Sequence, residues 1–139
     1  MTPKAVSFDA PCPCGRPGKL AECCGPYLTG ERQAPDPESL MRSRYTAFAL
    51  GTAEAVDHLV ATHHADHRAS DLRAGLQDSI AGVDSWERLE VRTASEDGER
   101  GSVEFTATYR VGKDRMQLRE RSQFVREEGR WFYTRGQIG

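Results

Sequence analysis

No stretch of this 139-residue chain approaches the roughly 20 consecutive apolar residues that a membrane-crossing helix requires, so no such span is expected. Charge of one sign is missing too: 19 lysines and arginines stand against 21 aspartates and glutamates, a formal net charge of −2. That balance provides no global positive field to recruit nucleic acid. The first ten residues, Met1 to Ala10, hold no apolar core of the kind a secretory signal carries, which points to the cytoplasm. Catalytic signatures are absent as well. There is no phosphate-binding glycine loop, no Gly-x-Ser-x-Gly elbow and no nucleophile spaced with its base. Internal repeats and low-complexity tracts are lacking. What remains is an ordinary globular composition, 37 % hydrophobic and 29 % charged, with chain enough for one domain and a small appendage.

Cysteine is both scarce and concentrated: the chain has four, all between positions 12 and 24. Cys12-Pro13-Cys14 and Cys23-Cys24 flank a turn containing Gly15, Pro17 and Gly18, residue types that suit a tight reversal. Four thiolates about 2.3 Å from one ion make a closed, tetrahedral zinc site. With no histidine, carboxylate or open position of its own, such a site is structural rather than catalytic. Three other readings compete. A disulfide framework needs an oxidising compartment. A redox couple usually shows a Cys-x-x-Cys spacing that neither pair has, although Cys23-Cys24 remains a candidate thiol switch. Inert core cysteines fit poorly in a turn rich in glycine and proline.

A polar, proline-punctuated stretch from Thr29 to Pro37 reads as a linker, so a module over residues 1–30 and a domain over 31–139 are expected. Asp36 as N-cap and Pro37 at the first helical position start a helix that runs through Leu50 to Gly51 at its end. Thr52 caps a second helix to about Val60, residues 62–69 form a polar loop, and Ser70 opens a third helix toward Ile80. From Trp86 the period changes to alternation: Leu89 and Val91; Val103, Phe105, Ala107, Tyr109 and Val111; Met116, Leu118 and Phe124; then Trp131 to Thr134. Short polar turns at 96–99, 112–114 and 127–129 imply hairpins. Helices first and hairpin-linked strands afterwards predict an α+β fold, with helices packed on one face of an antiparallel sheet.

Two charges break the apolar pattern. Arg44 falls between Leu40 and Phe48 on the stripe that packs on the sheet, and Glu120 shares the inward parity of Leu118 and Phe124. A buried charge is costly unless paired. The two therefore either meet as a buried salt bridge or line a wet cavity between helix and sheet, with Tyr45, Trp86, Tyr109, Trp131 and Tyr133 as candidate walls. His58, His63, His64 and His67 read as a solvated, partly basic loop in preference to a second metal site. Arg110, Arg115, Arg119, Arg121, Arg126, Arg130 and Arg135 on the last strands are interspersed with Glu104, Glu120, Glu127 and Glu128. A mixed, solvated sheet surface is the preferred reading there, over a nucleic-acid face.

The Cys-x-Cys, eight-residue, Cys-Cys spacing resembles the SEC-C motif, the small zinc module of the tail of the preprotein translocase ATPase. The resemblance implies Cys12, Cys14, Cys23 and Cys24 as zinc ligands and a module that docks protein partners. The docking loop would be residues 15–22, where only Arg16 and Lys19 are basic. Pro37-Glu-Ser-Leu-Met-Arg-Ser-Arg-Tyr-Thr-Ala-Phe-Ala-Leu-Gly51, Glu120-Arg-Ser-Gln-Phe124 and Gly129-Arg-Trp-Phe-Tyr133 with Gly136 are together similar to the YchJ family. That resemblance implies a nuclear transport factor 2-like domain, a cone of helices wrapped by a curved antiparallel sheet and open at one end. Some members carry a second SEC-C module; this sequence shows one, so bridging by paired zinc modules is not expected. The expected function is a zinc-binding, non-catalytic module for a protein partner or for a small ligand in the cone. The first alternative is a pocket enzyme of isomerase or hydrolase type, with Glu120 as base and Tyr45 or Tyr109 as electrophile. The second is a thiol or zinc-responsive switch at Cys23-Cys24.

Overall fold

A computed structural model describes residues 7–139. Four helices precede four strands: α1 (Gly25–Thr29), α2 (Pro37–Leu50), α3 (Ala53–Ala61), α4 (Leu72–Ala81), then β1 (Ser85–Asp97), β2 (Arg100–Val111), β3 (Asp114–Glu127) and β4 (Arg130–Ile138). The strands form one antiparallel meander in the order β1-β2-β3-β4. This is the α+β arrangement that helices followed by hairpin-linked strands predict. Irregular pairing between Trp86 and Arg88, between Val91 and Thr93, and between Gln123 and Phe124 interrupts the ladders. Extra residues of this kind bend and twist a strand, and here they curve the sheet around the helices.

The helix boundaries follow from local chemistry. The Asp36 carboxylate accepts the Ser39 amide at 2.7 Å, and Gly51 ends α2 in the left-handed region at φ 64°. The Thr52 hydroxyl accepts the Ala55 amide and so starts α3. The third helix of the sequence reading begins at Leu72 rather than Ser70. Residues 70–71 form a turn in which the Leu72 amide reaches the Ala69 carbonyl, and Asp71 makes no side-chain cap.

Leu40, Met41 and Tyr45 of α2 pack on Leu89, Val103, Phe105, Ala107, Phe124 and Trp131 of the sheet, which is the main core. A second cluster joins α3 and α4 through Ala55, Leu59 and Leu76. A third is built from Cys12, Cys14, Leu20 and Cys24, with Leu28 and Leu50 packed against it. The cysteine-bearing segment thus shares apolar contacts with the end of α2. Gly25 permits the close approach of α1: a Cβ there would sit 2.7 Å from the Leu20 carbonyl oxygen.

Candidate metal centre and ligand cavity

The bridge between Pro11 and Lys19 closes the turn that presents the first cysteine pair, and a short 3-10 turn at Leu20–Glu22 delivers the second. The sulfurs of Cys12, Cys14, Cys23 and Cys24 all lie within 4.8 Å of one another, and those of Cys14 and Cys23 are 3.5 Å apart. A donor set of four sulfurs converging at this range fits one tetrahedral metal ion. Three of the four cysteines are buried, and none is in a disulfide. Hydrogen bonds from Cys14 and Cys24 hold the Cys12 thiol far below its usual range. Hydrogen bonding to Cys12 and Cys14 pushes Cys24 far up, and burial pushes Cys23 up to about 12. Burial and mutual repulsion oppose four thiolates gathered this closely, and a bound cation is what would offset that cost.

The surroundings of the cluster come from α2. Arg42 donates to the Cys14 carbonyl at 2.7 Å and to Glu38 at 2.8 Å. Arg16, in the turn between the cysteine pairs, donates to Ser39 and to the same Glu38. The Cys12 sulfur lies 3.8 Å from the Thr46 hydroxyl. The Arg42 side chain keeps the Glu38 carboxyl below its usual range. The four-residue spacing of Glu38 and Arg42 on one helix is the sequence signal for this pair.

The opposite face of α2 floors a cavity of about 580 Å³ enclosed by α4 and the sheet. Arg44, Tyr45, Trp86, Tyr109, Glu120 and Tyr133 line it, together with residues that sequence reasoning missed, among them Phe48, His63 and Leu118. Tyr45 and Trp86 meet edge to face at 5.6 Å, and Trp86 stacks obliquely on Tyr109 at 5.1 Å, so the aromatic wall is continuous.

Of the two arrangements expected for Arg44 and Glu120, the structure has the second: they form no salt bridge, and both line the cavity. Arg44 is only 7 % exposed and spends Nη1 on the Leu59 carbonyl and the Thr62 hydroxyl, while its guanidinium lies 4.5 Å over the Tyr133 ring. These partners anchor it toward α3 and β4. Burial lowers its pKa to about 10, so it stays charged at neutral pH. Half-buried Glu120 accepts a hydrogen bond from Ser122, and its carboxylate lies over Gly136, where a Cβ would collide with it. Trp131 does not line this cavity. It has the inward parity expected, but at the start of β4 it joins the core beside Leu40 and borders a separate groove with Tyr27 and Leu28.

The histidine stretch is likewise not a solvated loop. Residues 62–64 pair with Tyr133 of β4: its amide donates to the Thr62 carbonyl, and its carbonyl accepts the His64 amide. His58 is buried with Nε2 2.9 Å from the Ser43 hydroxyl, and burial lowers its pKa to about 4. His63 packs edge-on against Tyr133, and His64 contacts Glu127; His67 alone is exposed. Among the described residues, the cysteines form the only group of metal-type side chains close enough to share an ion.

The fold and the site define a class: a nuclear transport factor 2-like α+β domain carrying an N-terminal four-cysteine metal-binding motif. Residues 36–136 match the family model described as "YchJ, middle NTF2-like domain", and the chain belongs to this family. It is 43 % identical over 139 residues to the UPF0225 protein Mpe_A2093 of Methylibium petroleiphilum, covering 99 % of this chain and 96 % of that one. A solution structure of RPA3114, a SEC-C motif containing protein from Rhodopseudomonas palustris, superposes with a TM-score of 0.83 at 38 % identity. The match covers 93 % of this chain and 98 % of that one. A SEC-C motif containing protein from Psychrobacter arcticus shares the fold at a TM-score of 0.77 and 24 % identity, over 95 % of this chain and 85 % of that one. No helix among the described residues is long and apolar enough to cross a membrane.

Proposed function

We propose that this chain is a zinc-braced, non-catalytic binding protein of the cytoplasm, whose cavity holds a small ligand and whose cysteine module offers a surface to a protein partner. The observation that carries the ligand reading is a cavity of about 580 Å³, within the range usual for small-molecule sites, with an aromatic wall and two charges not paired to each other. Zinc is supported by the all-sulfur donor set and by its closed shape, which leaves no position for substrate. Reducing conditions keep four such thiols free for metal. Partner docking is supported by the SEC-C likeness and by the exposure of Gly15, Pro17 and Gly18 at the turn. A neutral apolar fluorophore, N-phenyl-1-naphthylamine, tests the ligand reading. Binding at one site per chain, weakened about tenfold or more by the cavity-filling Leu118→Trp, is the expected result. Equal binding to wild type and variant overturns it.

One observation favours a second reading, a pocket enzyme with Glu120 as base. Among the described residues no arginine forms an ion pair with this carboxylate, and it faces the cavity where a substrate proton could be reached. Burial holds the Tyr45 hydroxyl protonated, at a pKa of about 12, as an electrophile would need. The switch reading has less support, because the most accessible thiol, Cys23, is pushed toward its unreactive form.

A further inference from the structure

We propose that the cavity takes a small monocarboxylate with an apolar body, its anionic head seated against the guanidinium of Arg44. This rests on the cavity being a ligand site, and the experiment below separates the two claims. Among the described residues, Arg44 is the only lysine or arginine on the wall of a largely aromatic and aliphatic chamber. Nη1 makes both of its protein hydrogen bonds; Nε and Nη2 have no partner among the described residues. Removing a guanidinium from water is costly unless an anion and hydrogen bonds replace the solvent. Among the described residues no carboxylate touches the Arg44 guanidinium: Glu120 faces the same space and acts on it only through space, held by Ser122 over Gly136. The Tyr133 ring covers one guanidinium face and leaves its edge as the direction of approach. A planar carboxylate matches a guanidinium edge with two parallel charge-assisted hydrogen bonds.

The remaining wall sets the rest of the ligand. Tyr45, Phe48, Trp86 and Tyr109 present ring surfaces, and Leu72 and Leu76 close the side formed by α4. Such a lining takes an aromatic or branched aliphatic body. Glu120 on the wall and Asp78 on α4 add two negative charges against one positive. A second negative charge on the ligand doubles its repulsion from these carboxylates while one guanidinium edge accommodates a single carboxylate head, so a monoanion is favoured over a dianion such as a phosphate monoester.

Calorimetric titration of the metal-loaded full chain with three probes sharing a phenylalkyl body decides the matter. These are 3-phenylpropanoate, the neutral 3-phenylpropan-1-ol and the dianionic 2-phenylethyl phosphate. The acid should bind about tenfold or more tightly than either of the others. Arg44→Met should bring the acid down to the alcohol and leave the alcohol unchanged. The wild-type preference needs no variant, so it decides the question if Arg44→Met does not fold. Alcohol or phosphate binding as tightly as the acid overturns the head-group assignment and leaves the ligand reading standing. If none of the three binds at about 10 mM, both fall.

Discussion

His58 shows how a side chain that looks like a surface residue in the sequence becomes a structural one. Its Nε2 meets the Ser43 hydroxyl, which itself donates to the Leu40 carbonyl, so the imidazole is read as the neutral donor. Burial, with Arg44 nearby, lowers its pKa from the ordinary 6.5 to about 4. The unfolded chain therefore binds a proton at a higher pH than the folded chain does. The stabilisation from neutral His58 is complete above pH 6.5 and is lost as pH falls toward 4. The loss is on the order of 3 kcal/mol. Urea unfolding of wild type and His58→Gln across that window should show a pH slope in wild type that is smaller in the variant. Equal slopes would mean that His58 is not the group responsible.

At the scale of elements, α2 joins the two candidate sites. One face carries Arg42, Glu38, Ser39 and Thr46 toward the cysteine segment, and the other carries Arg44, Tyr45 and Phe48 into the cavity. Replacing Arg42 by methionine removes the bond to the Cys14 carbonyl while keeping much of the aliphatic stem. Such outer partners of metal ligands typically matter by about 10- to 100-fold in affinity. Competition with a chromogenic chelator should show Arg42→Met releasing zinc more readily by that order, with the helical signal retained. Unchanged competition would separate the α2 contact from metal retention.

This helix was legible in the sequence because its signals are local: Asp36-Pro37 at one end, Gly51 at the other and a four-residue apolar spacing between them. Strand parity was legible for the same reason and placed Glu120 inward. Three features were not. The pairing of residues 62–64 with Tyr133 joins segments about seventy positions apart and leaves no periodic trace. Parity does not say how far along a strand a cavity reaches: Trp131 keeps the parity of Tyr133, but at the start of β4 it joins the core beside Leu40, outside the cavity. Arg44 found a carbonyl, a hydroxyl and an aromatic face in place of a carboxylate, and composition does not distinguish these partners.

For the whole molecule, the helices and the curved sheet bound the ligand cavity, while the cysteine segment packs on the helix that floors it. The apolar contacts of Cys12, Cys14, Leu20 and Cys24 with Leu28 and Leu50 are few. A small cluster of this kind needs an additional cross-link to hold its turns, and a metal ion on the four sulfurs would supply one. Zinc-edge X-ray absorption on the full chain purified under reducing conditions tests this most directly. The account predicts one zinc per chain with four sulfur neighbours at about 2.3 Å. An intact fold without zinc, or an ion held by nitrogen and oxygen, would contradict it.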